Sequence, residues 1–303
     1  MKTTFSAREI ETFLRTSEHA IPESIDHLAE GQISQAIGFE TVDTQKLVLR
    51  ISEKNDDFMA DKYAYERFGS HLPIPDVIEI GKFNESAYYC ISERAPGVNS
   101  NKLFGEDFTR ALPSINQRIA DVFRTEITNS SGYGHLDYAS GNGKYPSWRA
   151  TLEARLTDLP ADNLKQNAIN IGIDPSLIEA FINQYTSNLD YASEVRRLSH
   201  GDLGFDNMLI DGDKVSAIID WAGIGYAEWM YDYAKFDFWW PGRYMDVLSF
   251  GRKYGLETDN IERRKALYWA RSALSTIQWA DEFKSDHITE WLRTNVNDKL
   301  IMI

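Results

Sequence analysis

The stretch S-E-R-A-P-G-V, residues 92–98, separates two kinds of hydrophobic patterning, and that division limits the possible folds more than any other feature of the chain. From Ile25 to Ser52 apolar residues alternate through S-Q-A-I-G-F-E and K-L-V-L-R-I-S, with Gly31 in a first turn and T-V-D-T in a second. Alternation at period two predicts half-buried strands, here a β-meander. Further strands are expected near Val77–Ile80 and Ala87–Ile91. Ser6 with Glu9 is a capping-box pattern that opens a short amphipathic helix through Ile10, Phe13 and Leu14. Asp56–Phe68 also has helical spacing, and L-P-I-P ends it because proline cannot continue the ladder. Past Pro96–Gly97 the spacing is helical, in segments near 106–128, 149–157, 175–190, 228–239, 243–253 and 259–282. The exceptions are a glycine-rich connection, Gly132 to Gly143, and a hairpin signal in which D-G-D-K joins the apolar runs Met208–Ile210 and Val215–Ile219. The expected class is α+β: a small β-rich N-terminal lobe, residues 1–93, then a larger, mainly helical lobe, residues 94–303.

Composition closes off several functions. The 303 residues are 43% hydrophobic and 26% charged, ordinary for a folded chain and long enough for two lobes. One cysteine, Cys90 in A-Y-Y-C-I-S, permits no internal disulfide and reads as a small buried hydrophobe. Charged residues occupy the N-terminus where a signal peptide needs an apolar run, and no segment approaches a membrane span, so a cytoplasmic, soluble protein is expected. The formal charge of -14 has the wrong sign for gripping phosphate backbones, which argues against nucleic acid. The same field favours a cationic ligand, or simply solubility.

Residues 198–211, L-S-H-G-D-L-G-F-D-N-M-L-I-D, crowd a histidine, two aspartates and an asparagine against an apolar run. Ionisable groups beside buried surface need partners, so a capped turn, a metal site and a catalytic loop are the candidates. Asp202 and Asn207 stand in D-x-x-x-x-N spacing before one strand of the hairpin, and Asp220 in I-I-D-W ends the other. A hairpin brings its outer ends together, so Asn207 and Asp220 should meet at one rim. A carboxylate and a carbonyl oxygen are hard ligands of the kind Mg²⁺ accepts, and Asp202 is placed to orient a hydroxyl. Phosphoryl transfer asks for this combination of positioning and charge neutralisation.

The motif H-G-D-L-G-F-D-N with I-D-W resembles the signature of the aminoglycoside phosphotransferase family, kinases of bilobal protein-kinase-like fold in which H-G-D replaces H-R-D. The likeness extends through L-A-E-G-Q-I-S-Q-A, L-V-L-R-I, residues 72–98 and F-W-W-P, from about Leu28 to Pro241. It implies Asp202 as catalytic base, Asn207 and Asp220 as Mg²⁺ ligands, and ATP or GTP as donor. It further implies that Ser92, Glu93, Arg94 and Ala95 form a hinge whose backbone holds adenine, and that the turn from Gly31 to Ser34 lies over the phosphates. Where the family usually has a lysine on the third strand, this chain has Arg50, with Asp61 as its acidic anchor and Glu66 as a second candidate. Arginine can grip phosphate bidentately but is longer and planar. Lys46, on the same strand face, is the inferior alternative, and Arg50 facing solvent from an edge strand is the plain one.

The implied acceptor is a cationic aminoglycoside, hygromycin B first, modified at a hydroxyl by a monomeric enzyme that confers resistance. A macrolide, choline, homoserine or other metabolite, or a non-catalytic kinase-fold binding protein, are the competing readings. Asp206, Glu228, Asp232 and Trp239 are the candidate substrate contacts, the acidic ones together with Asp237 as a carboxylate-lined pocket and the ring otherwise as helix core. His200 is expected to orient the loop by hydrogen bonding. G-N-G-K at 141–144 is not a P-loop, since Tyr138 stands where its first glycine belongs, and neither the histidines nor the lone cysteine make a zinc site.

Overall fold

Ser6 and Glu9 close as a capping box: the Glu9 N–H donates to Ser6 Oγ at 3.3 Å, and the Ser6 N–H donates to Glu9 Oε2 at 2.9 Å. They start helix α1, Ala7–Ser17, in the computed structural model of the chain, which describes residues 5–17, 20–30 and 35–300. Strands β1 (Asp26–Glu30), β2 (Gln35–Glu40) and β3 (Lys46–Ser52) follow, then helix α2 (Asp56–Phe68) and strands β4 (Val77–Lys82) and β5 (Tyr88–Glu93). The five strands stand in the order β1-β2-β3-β5-β4, with antiparallel neighbours. The meander is therefore present. Its first turn, which contains Gly31 and Ser34, lies outside the described residues.

Period two decides what each face of β3 does. Leu47, Leu49 and Ile51 join Ile37, Phe39, Ile91 and the α1 residues Ile10 and Leu14 in one core. Each such buried side chain stabilises the fold by about 2 kcal/mol. The alternate positions look toward α2, where Phe58, Val77 and Cys90 form a second cluster. Arg50 is paired in register with Cys90 and holds its guanidinium 5.1 Å from the Phe58 ring centre. Because β3 lies between β2 and β5, Arg50 is not on an edge strand.

Beyond Pro96–Gly97 come the two-residue strand β6 (Val98–Asn99) and helix α3 (Gly105–Arg124), after which T-E-I-T-N-S-S-G abandons helical spacing. The expected glycine-rich connection is instead an antiparallel pair, β7 (Tyr133–Asp137) and β8 (Asn142–Tyr145), and it contains G-N-G-K. Helices α4 (Trp148–Thr157), α5 (Ala161–Asn170) and α6 (Ser176–Asn188) precede strand β9 (Arg197–Ser199). Only Leu164 and Ala168 of α5 are buried, too thin a stripe to announce that helix. The hairpin follows as β10 (Met208–Asp211) and β11 (Lys214–Ile218), turning through Gly212 at φ 59° and Asp213. The turn thus falls one residue later than the D-G pair suggested. Strand β12 (Gly225–Ala227) and helices α7 (Met230–Trp239), α8 (Val247–Tyr254), α9 (Ile261–Phe283) and α10 (Asp286–Asn295) complete the chain.

Two compact units result, residues 1–121 with 205–223 and residues 122–204 with 224–303. The first unit reaches past the expected boundary at residue 93 because β10 pairs with β6, in a sheet of order β11-β10-β6. Gly97 permits this approach. Its φ is 109°, and a Cβ there would sit 2.2 Å from the Ile210 carbonyl oxygen. The second unit holds a sheet of order β8-β7-β12-β9 and the helices around α9, whose Ala266, Ala270, Ala273 and Ala280 are fully buried.

Candidate active site

In the second unit, the loop that follows β9 is tied down from α7. The Asp232 carboxylate accepts from the His200 N–H at 2.8 Å and the Gly201 N–H at 3.1 Å. Gly201 has φ 82°, a left-handed conformation that accounts for glycine inside H-G-D. His200 is completely buried, and its Nδ1 accepts from the Asp202 N–H at 3.2 Å. Lys235, one turn beyond Asp232, donates to Asp202 Oδ1 at 2.9 Å and also to the Gly201 carbonyl. The Lys235 charge, outweighing the desolvation that the surrounding chain imposes, holds the Asp202 carboxyl below its ordinary range. The loop therefore presents an exposed, ionised carboxylate on a fixed backbone.

That geometry corrects two substrate candidates. Asp232 and Glu228 are each 1% exposed, and their oxygens are engaged inside the fold. Glu228 pairs with Arg264, whose Nε donates to it at 2.7 Å, and accepts from the Tyr268 hydroxyl. Burial pushes the Glu228 carboxyl up against the pull of these partners. Asp237 pairs with Lys265 at 3.3 Å, so the expected carboxylate-lined pocket does not form from α7. Trp239 is half-buried, with its ring centre 4.5 Å from that of Trp291.

In the first unit, the Ile219 N–H donates to the Asn207 carbonyl at 3.0 Å, one step past the Met208–Ile218 pair. Asn207 and Asp220 consequently share one rim of the hairpin. Asn207 is 9% exposed, whereas Asp206 and Asp220 face outward. Ser100 Oγ and the Asn101 N–H hold the Phe205 carbonyl at 2.6 Å and 3.0 Å, which fixes the entry to β10. Asp220 has φ 65°, a strained conformation worth roughly 1–2 kcal/mol for a residue with a Cβ. Trp221, fully buried, holds that turn in place: its N–H donates to Asp61 Oδ1 at 2.8 Å and its Nε1 to the Ile218 carbonyl at 3.0 Å.

Asp61 thus serves two partners, because its other oxygen pairs with Arg50. Burial disfavours charge on Arg50, but Asp61 and Cys90 outweigh it and hold the guanidinium above its ordinary value. Glu66 pairs with Lys62 at 2.7 Å, and Lys46 extends toward Glu40 at 3.6 Å, so neither alternative reaches this cluster. At the expected hinge, Ser92 and Glu93 end β5. The Glu93 N–H donates to Asp76 and the Arg94 N–H to Lys46, both at 2.9 Å, while Arg94 Nη2 lies 3.1 Å from Asp26. Those two donors belong to neighbouring backbone; Ala95 follows them without regular structure.

Lys235 is the site residue that sequence reasoning missed. Its signal was available in D-Y-A-K, since positions three apart share a helix face, but nothing local said that the face meets the H-G-D loop. Among the described residues, no group of three His, Cys, Asp or Glu side chains could hold a metal ion. Asn207 and Asp220 offer one amide and one carboxylate, which suits Mg²⁺ completing its shell with water and phosphate oxygens.

Comparison with known proteins gives the family and the fold. Residues 24–267 match the model of the phosphotransferase enzyme family. The hygromycin-B 4-O-kinase of Escherichia coli is 31% identical over 241 residues, 79% of this chain and 69% of that protein. The crystal structure of aminoglycoside phosphotransferase APH(4)-Ia superposes with a TM-score of 0.78 at 24% identity, covering 97% of this chain and 98% of that one. A thermostable mutant of that enzyme, in ternary complex with AMP-PNP and hygromycin B, covers 96% and 98% with the same TM-score and identity. Macrolide 2'-phosphotransferase MphH from Brachybacterium faecium gives a TM-score of 0.64 at 14% identity, over 97% of this chain and 98% of that chain. These likenesses establish the fold, the expected α+β architecture with a small β-sheet lobe and a larger helical part.

Proposed function

This chain belongs to the phosphotransferase enzyme family, and from that premise we propose that it is an ATP- and Mg²⁺-dependent kinase that phosphorylates a hydroxyl of an aminoglycoside, hygromycin B first among them. The observation that carries the reading is Asp202, an exposed carboxylate kept ionised by Lys235 on a loop anchored by Asp232.

In this mechanism Asp202 accepts a hydrogen bond from the acceptor hydroxyl, orients its oxygen toward the γ-phosphorus, and takes the proton as the new P–O bond forms and the bond to the ADP oxygen breaks. Such a base contributes about 10²–10⁴ in rate. Lys235 steadies the carboxylate and the Gly201 carbonyl beside it. Arg50, braced by Asp61, pairs with the donor phosphates, a task its planar fork suits. Asn207 and Asp220 would hold Mg²⁺, which neutralises phosphate charge when bound. Adenine would use backbone groups of residues 92–95 other than the two donors already engaged by Asp76 and Lys46. The substrate preference rests on the 31% identical relative, which acts on hygromycin B by its name.

An ADP-release assay over an aminoglycoside panel, with the phosphorylated hydroxyl mapped by NMR, tests the reading. Mg²⁺-dependent turnover on hygromycin B is expected. Nucleotide binding without turnover on that acceptor would sink the substrate assignment, and loss of nucleotide binding altogether would sink the kinase.

A further inference from the structure

A cavity of about 220 Å³ lies among α4, α6 and α9, entirely within the second unit. Its walls include Arg155, Asp158, Tyr185, Arg271, Ser275 and Gln278. The two guanidinium groups flank one ring: Arg155 is 5.4 Å and Arg271 4.7 Å from the centre of Tyr231, which is 4% exposed. Among the described residues neither arginine has a carboxylate within ion-pair distance, and Arg271 Nε is inaccessible with no hydrogen-bond partner. Two like charges around one buried ring, in a chain of net charge -14, are an arrangement that a bound anion would relieve.

The local field agrees with the geometry. Burial by itself would push the Tyr231 hydroxyl up, yet Arg155 and Arg271, with Lys235, bring it below its ordinary value. Desolvation, and then the same two arginines, drive His135 down to about 4. The walls also carry the neutral donors an oxyanion uses, the Ser275 hydroxyl and the Gln278 amide. At about 30 Å³ per water, the space exceeds a single solvent molecule several times over and suits a small ligand.

We propose that this cavity is an oxyanion site, in which Arg155 and Arg271 take a phosphate or carboxylate group. The site adjoins the catalytic loop, because Arg271 also helps lower the Asp202 carboxyl, but its walls include none of Asp202, Arg50, Asn207 and Asp220. Arginine is the fitting residue because its fork matches both oxyanions bidentately.

The test uses the full chain, saturated with AMP-PNP and Mg²⁺ so that its nucleotide phosphate contacts are occupied. Inorganic phosphate is titrated by calorimetry against sodium chloride of equal ionic strength. Saturable phosphate binding is expected, weakened about tenfold or more in Arg155→Gln and in Arg271→Gln, each checked for native circular dichroism. Two variants keep the test usable if one fails to fold. Absence of phosphate binding beyond chloride, or binding unchanged in both variants, overturns the proposal. Phosphate that also slows turnover identifies an inhibitory effector, and phosphate that binds without changing turnover identifies a ligand with no effect on catalysis; both uphold the site.

Discussion

Lys235 sits 2.9 Å from Asp202 and supplies the largest influence on that carboxyl, holding it below its ordinary value of 3.8. A depressed carboxyl stays ionised as pH falls, so the acid limb of kcat/KM should lie low. Lys235→Met removes the cation, lets the carboxyl rise, and is expected to move that limb to higher pH; a limb that stays in place rules out this role for Lys235. Asp202→Asn keeps the shape and removes the base. It should lower kcat by about 10²–10⁴ while nucleotide affinity, followed by titration with AMP-PNP, is kept. Equal losses in both quantities would point to a collapsed loop instead.

At the scale of elements, the arrangement depends on residues that join one piece of secondary structure to another. Asp61 of α2 braces Arg50 on β3 and the Trp221 N–H after β11, so Asp61→Ala leaves a buried guanidinium unpaired. A loss of about 3 kcal/mol is expected in urea unfolding, and a loss below 1 kcal/mol would mean that the cluster is not what holds these elements. Gly97 and Gly212 offer a contrast. Both have positive φ, but an added Cβ at Gly212 meets open space, whereas at Gly97 it meets the β10 backbone. Gly212→Ala should cost about 1 kcal/mol, the conformational strain alone. Gly97→Ala should cost at least twice that, about 2 kcal/mol or more, because backbone must also shift. Indistinguishable midpoints for the two would refute the close approach of β6 and β10.

For the molecule as a whole, the net charge of -14 is the property that bears on a cationic acceptor. Diffuse attraction is screened beyond about 8 Å at physiological ionic strength. With an aminoglycoside as acceptor, kcat/KM should therefore fall severalfold as sodium chloride is raised from low to physiological concentration, mainly through KM. A flat salt profile would show that the charge serves solubility alone. No helix among the described residues is long and apolar enough to cross a membrane.

Read alone, the sequence determined the local patterns and the chemistry they can carry. Period two in L-V-L-R-I, the Ser6–Glu9 cap and the D-G-D-K hairpin depend on interactions within a few residues, so they were legible in order. The meeting of Asn207 and Asp220 at one rim has the same local origin, because a single hairpin carries both. Helix α5 and the β7–β8 pair were not legible, because a two-residue apolar stripe and a run of glycines say little without the surface they pack on. Only the tertiary structure decided which acidic residues stay in solvent. Glu228 and Asp232 look like Asp206 in sequence, yet Arg264, Tyr268 and the H-G-D backbone draw them inside, since a buried carboxylate is tolerated only where donors from distant parts of the chain converge on it. The pairing of Asp202 with Lys235 has the same origin: charge pairing is set by distance in space, and the 32 residues between them carry no record of it.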